Sequence, residues 1–186
     1  LIIMIIWITG TLWAWKWTIV DYLIKNKWFV HFSVRAFLIQ EIEKRWMPVD
    51  RNSMVIVAND LRSKYWSSYI VEELYKQAKA TGKNCIIESI RAEWEALALK
   101  WKEKFFLFSI DADPKIRYDR VVVRWSETDH ISYQEFLENE KREMQNDDPT
   151  KQNLSKCMAL SDHIFTNNGT LEELNTQIKQ VLNDLW

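Results

Sequence analysis

Gly10, Lys16 and Thr18 stand in an order and spacing that could grip a chain of phosphates. They belong to the segment Gly10-Thr11-Leu12-Trp13-Ala14-Trp15-Lys16-Trp17-Thr18. The apolar run Leu1 to Ile8 leads into it, and an amphipathic stretch, Thr18 to Lys27, leaves it. Successive backbone N–H groups that open onto a helix N-terminus bind phosphate without help from side chains. A lysine at this spacing reaches the terminal phosphates, and the hydroxyl that follows can meet phosphate or Mg²⁺. Glycine normally supplies the dihedral freedom and close approach such a loop needs. Here positions 13, 15 and 17 carry tryptophan instead.

Other residues could share that chemistry. Glu88 ends the apolar run Cys85-Ile86-Ile87, so it falls at the carboxyl edge of a strand, where open parallel sheets bind ligands. A carboxylate there could hold Mg²⁺ through water or position an acceptor. Asp111, which ends the next apolar run, is its rival, although a helix cap at Asp113 accounts for that segment. Arg120 and Arg124 lie one helical turn apart and could face a phosphate or a surface partner. Arg62 could be a phosphate ligand or a solvated helix charge. His31, His130 and His163 are scattered, and Cys85 and Cys157 form no metal spacing. Two distant cysteines fit a reduced, cytoplasmic protein.

The 186 residues suffice for one domain with a full core, and we read residues 1–186 as a single unit. A net charge of −1 argues against nucleic acid as the main partner. The anomaly is 3 glycines beside 11 tryptophans. Average usage would supply about 13 glycines in a chain this long, close to the two counts taken together. Trp28, Trp46, Trp66, Trp101 and Trp125 each follow a basic helix end, where a residue of positive φ is needed and glycine is usual. The tryptophans therefore read as occupants of glycine positions. A left-handed residue other than glycine costs roughly 1–2 kcal/mol. Several of them would consume much of a typical stability of roughly 5–15 kcal/mol.

Alternating patterns place strands at 2–8, 29–32, 84–88, 105–110 and 163–166. Helices are expected at 17–27, 34–45, 53–65, 69–80, 92–100, 114–124, 133–145 and 171–185. Ser132 with Glu135 and Thr170 with Glu173 form capping boxes. The last helix carries Leu171, Leu174, Ile178, Val181, Leu182 and Leu185 on one face. The N-terminal apolar stretch lacks the basic flank and cleavage site of an export signal, so it reads as a buried strand and no membrane partner is expected. The pattern predicts an α/β chain with a five-stranded parallel sheet between two helical layers. The polar stretch of about 126–149 is read as an excursion from it.

With glycine at 13, 15 and 17 the loop would end in glycine, lysine, glycine and threonine, the variant found in adenylate kinases and their relatives. The chain resembles the P-loop nucleoside monophosphate kinases over nearly its whole length, in particular adenylate-kinase-related and dephospho-CoA-kinase-like proteins. Further segments carry the likeness: His31 to Leu38, Ala58 to Trp66, Ile86 to Arg91, Arg117 to Arg124, Glu140 to Glu143, and Ser161 to Thr170. It departs after the second strand, where Arg35 stands and the family's arginine lies nearer Leu38. The resemblance implies a three-layer P-loop kinase fold with a small lid over about 126–149. It implies ATP and Mg²⁺, with the nucleotide held by Gly10, Thr11, Leu12, Trp13, Ala14, Trp15, Lys16, Trp17, Thr18 and Asn168. It implies acceptor contacts from Arg35, Arg62 and Glu88, metal contacts from Thr18 and Glu88, and charge neutralisation by Lys16, Arg91, Arg120, Arg124 and Arg142.

The expected activity is phosphoryl transfer from ATP to a nucleoside monophosphate or dephospho-CoA. Two alternatives stand beside it. One is a nucleotide-binding switch or NTPase without a small acceptor. The other is an inactive variant whose loop tryptophans block the phosphate path.

Overall fold

The computed structural model describes residues 3–102, 104–124, 132–145 and 153–185, without the side chains of residues 51 and 124. Its order is β1 (Ile5–Gly10), α1 (Lys16–Lys27), β2 (Val30–Ser33), α2 (Val34–Lys44), α3 (Arg51–Lys64), α4 (Tyr69–Ala80), β3 (Cys85–Glu88), α5 (Glu93–Lys100) and β4 (Phe105–Asp111). There follow α6 (Pro114–Arg124), α7 (Tyr133–Met144), α8 (Leu154–Ala159), β5 (His163–Thr166) and α9 (Leu171–Leu185). The five strands lie in the order β2-β3-β1-β4-β5, every pair parallel. This is the expected three-layer α/β/α architecture.

Period-two alternation in β1 divides the core. Ile5 and Trp7 face one cluster, with Phe37, Leu38 and Ile42 of α2 and Ile70, Leu74 and Ala78 of α4. Ile6 and Ile8 face the other, with Ile19 and Leu23 of α1 and Leu174, Ile178 and Leu182 of α9. A strand buried on both faces must be apolar at every position, and β1 is buried throughout. Burying each large side chain contributes roughly 1.5–3 kcal/mol, which makes the two clusters the main source of stability.

Several boundaries differ from expectation for local reasons. β1 runs on to Gly10 because its register with β4 continues to Gly10↔Ile110. Only glycine fits there: a Cβ at Gly10, φ 138°, would lie 2.1 Å from the Ile110 carbonyl oxygen. α3 begins two residues early because Asp50 Oδ1 accepts from Ser53 N at 2.7 Å. The six-residue α8 was not expected, since it is too short to show periodicity. It is capped by Asn153 and packs Leu154, Cys157 and Met158 inward. Both expected capping boxes form, at Ser132 with Glu135 and at Thr170 with Glu173.

Positive φ occurs at Trp13 (63°), Trp15 (65°), Trp28 (59°) and Trp46 (56°). Trp28 ends α1 in the left-handed region, its N–H bonded to the Leu23 carbonyl, as glycine does at helix C-termini. Trp17 instead lies inside α1, and Trp101 has φ −97°. Trp66 is not among the positive-φ residues either, and Trp125 lies outside the described residues. Glycine-like geometry therefore holds at four tryptophans, not at every one the punctuation suggested. Trp7 packs fully buried in the sheet core.

Trp28 and Trp46 are 83% and 96% exposed, so their rings contribute little packing. Trp28→Gly and Trp46→Gly should each stabilise the protein by about 1 kcal/mol, the relief of left-handed strain less glycine's entropy cost. Trp101→Gly, at ordinary φ, should be neutral or destabilise by up to ~1 kcal/mol. Urea melts of the three variants would check this; equal effects at 28 and 101 would contradict the backbone argument.

Candidate active site

The carboxyl ends of β1, β3 and β4 meet at the centre of the sheet, where the strand order reverses. A crevice opens at such a point. The loop 11–15 leaves β1 there and enters α1 at Lys16.

Five successive loop carbonyls are each held by a side-chain donor. Lys16 Nζ donates to the carbonyls of Gly10 and Thr11, both at 2.9 Å. Arg117 Nη1 donates to Leu12 O at 3.4 Å, and Arg120 Nη1 to Trp13 O at 3.4 Å. Asn167 Nδ2 donates to Ala14 O at 3.0 Å. The loop is also pinned by Thr11, whose Oγ1 donates to Asp111 Oδ1 at 2.7 Å. Left-handed residues at 13 and 15 alternate with Ala14, the kind of backbone path that turns N–H groups into an anion-binding concavity.

Lys16 lies at the bottom of this arrangement. Burial, reinforced by the nearby positive charge of Arg91, lowers its pKa from 10.5 to about 8, against the opposing pull of Glu143 and Glu88. Arg120 is also lowered, by burial and then by Arg117. Its guanidinium lies 4.5 Å from the centre of the Trp15 ring, and its Nη2 donates to Asn167 O at 2.8 Å. Between the loop and α6 lies a cleft of about 890 Å³, bordered by Trp13, Trp15, Lys16, Trp17, Ile116 and Arg120. That volume is within the range of small-ligand sites.

Glu88 ends β3 beside this loop. Burial would raise its pKa, but the adjacent His31 and Ser33 and the charge of Lys16 outweigh that and hold it below its ordinary value. His31 Nε2 stands 3.6 Å from Glu88 Oε1, too long for a hydrogen bond. The chain turns sharply after Glu88 through Ser89, φ 83°, whose N–H bonds to Ile8 O at 3.0 Å. That turn brings Arg91 to the crevice, where its Nη1 lies 3.3 Å from Glu143 Oε2 of α7.

The structure gathers some of the expected residues and disperses others. Gly10 to Thr18, Glu88, Arg91 and Arg120 surround one crevice. Arg62 is bound instead to Glu95, Nη2 to Oε1 3.3 Å. Arg35 and Arg142 are exposed on α2 and α7. Asn168 anchors the loop after β5, accepting from Asp113 N at 2.7 Å. The Arg124 side chain and most of the connections flanking α7 lie outside the described residues. Thr18 N donates to Trp15 O at 3.0 Å in the first turn of α1.

Three further residues gain a role only from the fold. Asn167 is buried and ties β5 to the loop. Arg117 is 2% exposed and joins the loop, Ala112 O and Glu140 of α7. Glu95, buried, accepts from the Arg91 and Ala92 N–H groups and from Arg62, yet its pKa is raised because burial outweighs those bonds. Asn167 lay inside the segment Ser161 to Thr170 that carried the family likeness, which gave no sign of what it holds. Cys85 and Cys157 are free and buried, and burial pushes the Cys157 thiol up to about 12. Among the described residues no helix is long and apolar enough to cross a membrane, and no three His, Cys, Asp or Glu side chains cluster as a metal cage.

No protein-family profile matches the chain. It is similar to a UPF0200 protein of Pyrobaculum aerophilum, 26% identical over 170 residues, which cover 90% of this chain and 91% of the relative. A UPF0200 protein of Pyrococcus horikoshii is 24% identical over 152 residues, covering 78% of each chain. Among solved structures, shikimate kinase from Bacteroides thetaiotaomicron superposes with a TM-score of 0.61 at 10% identity, covering 97% of this chain and 98% of that one. Dephospho-CoA kinase from Campylobacter jejuni gives 0.54 at 12% identity, covering 97% and 96%. The fold is thus that of the P-loop kinases.

With a pKa of about 8, Lys16 is charged below that pH and neutral above it. With glycine at 13, 15 and 17, affinity for sulfate, whose own charge does not change in this range, should hold below about pH 8 and fall above it by up to about tenfold per unit. Lys16→Arg should remove the decline. In the same variant pair, wild-type stability should rise from about pH 8 to 10.5, where the unfolded chain binds the extra proton. Calorimetric titrations and urea melts across pH 7 to 10.5 measure both; a flat sulfate profile would contradict the assignment.

Proposed function

We propose that this chain is an ATP-dependent phosphotransferase acting on a nucleotide-like acceptor, a nucleoside monophosphate or dephospho-CoA. The observation that carries it is the loop between β1 and α1, with five carbonyls turned onto side-chain donors and Lys16 at its base. In this reading the loop amides and Lys16 hold the β- and γ-phosphates. The base and ribose occupy the cleft beside Arg120, with Asn168 as a further contact. Arg91 and Arg120 stabilise charge on the transferring group.

Mg²⁺ fits the residues present. It takes one or two protein oxygens and completes its shell with phosphates and water. Glu88, kept ionised at the strand end, and the Thr18 hydroxyl would be those oxygens, and the ion would neutralise phosphate charge. Glu88, with Arg35 and Arg62 on the α2–α3 side, would contact the acceptor, and Arg124 and Arg142 would add positive charge on the α6–α7 side. Residues 1–186 act as one domain in this account. Two free buried cysteines suit a reducing, cytoplasmic setting.

A second reading concerns the tryptophans. Trp13 and Trp15 border the cleft at left-handed φ, and Trp17 is 57% exposed on the first turn of α1. We infer that all three stand at glycine positions and that their indoles obstruct the phosphate path. The chain with these indoles is then an impaired kinase.

The Trp13→Gly/Trp15→Gly/Trp17→Gly variant should bind Mg·ATP with a dissociation constant on the order of 1 μM, about −8 kcal/mol, and transfer phosphate to one of the nucleoside monophosphates or dephospho-CoA in a coupled assay. Micromolar ATP binding by the unmodified chain would rule out obstruction. A glycine variant that binds ATP but hydrolyses it without acceptor dependence would favour the NTPase alternative. Peptide mass spectrometry of the protein isolated from its source organism would read positions 13, 15, 17, 28 and 46 directly, and glycine is the expected result.

A further inference from the structure

Helix α7 turns two carboxylates, one turn apart, toward the cations of the crevice. Glu140 pairs with the buried Arg117, and Glu143 pairs with Arg91 at 3.3 Å. The two pairs differ in character. The Arg117 pair is enclosed and reinforced by the Phe136 ring, 5.6 Å from the guanidinium, and by contacts of Tyr118 with Tyr133 and Phe136. It fixes the first two turns of α7. The Arg91 pair is partly solvated, its side chains 36% and 30% exposed, and it involves the last turn of the helix. Solvated pairs of that kind are weak.

Arg91 itself is well positioned. Its N–H is bonded to Glu95 Oε2 at 3.2 Å and its carbonyl accepts from Asn153 N at 3.0 Å. Its guanidinium therefore projects from a fixed backbone, near enough to Lys16 for the two charges to interact. A carboxylate against this guanidinium has the charge and the planar pair of oxygens of a bound anion. A phosphate presents more charge and more acceptor oxygens to the same fork.

We propose that Glu143 is a resident competitor. Its carboxylate occupies the anion seat of Arg91 in the free protein, and an incoming phosphate displaces it and releases the last turn of α7 while Glu140 keeps the rest docked. The seat thereby selects acceptors that carry a phosphate or similar dianion, because a neutral hydroxyl compound cannot replace the carboxylate. The inference rests on the phosphotransferase reading only in assigning Arg91 to phosphate.

The test uses inorganic pyrophosphate with the full chain carrying Trp13→Gly/Trp15→Gly/Trp17→Gly, which removes the indoles as an obstacle. Adding Glu143→Gln to it should tighten binding roughly two- to tenfold, the range expected for removing a weak pair. Glu138→Gln, an exposed control whose carboxylate pairs with Gln134, should leave binding unchanged. Hydrogen exchange should show amides of residues 142–145 opening faster when pyrophosphate is bound, with α9 unaffected. Weaker or unchanged binding by Glu143→Gln, no binding at all, or added protection in that last turn would each overturn the proposal. Unchanged binding together with ATP-dependent transfer by the glycine variant would leave the kinase reading standing. Tighter binding without any transfer would do the reverse.

Discussion

The site depends on how five consecutive carbonyls, Gly10 to Ala14, are satisfied. A loop that follows neither helix nor strand leaves most of its carbonyls without ladder partners. Buried or half-buried carbonyls without donors would each cost about 1–3 kcal/mol. Apart from the Ala14 N–H on Thr11 O, the donors come from outside the loop: Lys16 from α1, Arg117 and Arg120 from α6, and Asn167 from the end of β5. Each donor's position follows from the strand order. β4 beside β1 delivers α6 to the loop, and β5 beside β4 delivers Asn167. The parallel sheet is thus the scaffold that holds the loop open.

That solution concentrates positive charge. Lys16, Arg91, Arg117 and Arg120 converge on a small volume, and the lowered pKa of Lys16 is the electrostatic consequence. The fold offsets the charge from two directions. Glu88 is kept ionised at the end of β3 despite partial burial, and α7 brings Glu140 and Glu143 from the other side. Removing one member of a buried pair is costly, so Arg117 with Glu140 acts as a structural fastening. The Arg91 contact is the more solvated of the two.

Much of this was legible in the residues. The two-sided apolar runs marked the strands, capping boxes marked α7 and α9, and Gly10 with Lys16 marked the loop. What escaped was non-local. Asn167 looked like one of two loop asparagines until β5 was placed beside β4. Glu95 drew no reading from the sequence, yet it is buried and accepts from Arg62 and from the Arg91 N–H. Arg35 and Arg142 are exposed, which the residues could not foretell, because a helical charge can be assigned a face only when its neighbours are known. The tryptophans divide in the same way. Trp13, Trp15, Trp28 and Trp46 take left-handed backbone, while Trp17 and Trp101 do not. Composition could raise the question, but only dihedrals separate the positions.

The sequence by itself determined the periodicities, the caps, the order of strands and helices along the chain, and the loop's glycine and lysine. These are local properties, set by side-chain spacing and backbone sterics over a few residues. The tertiary structure decided which charges meet: that Arg117, Arg120 and Asn167, more than 100 residues away in the chain, hold the loop's carbonyls, and that Glu143 lies on Arg91. Burial and partner geometry set the worth of a charge, and neither exists until the strands have paired.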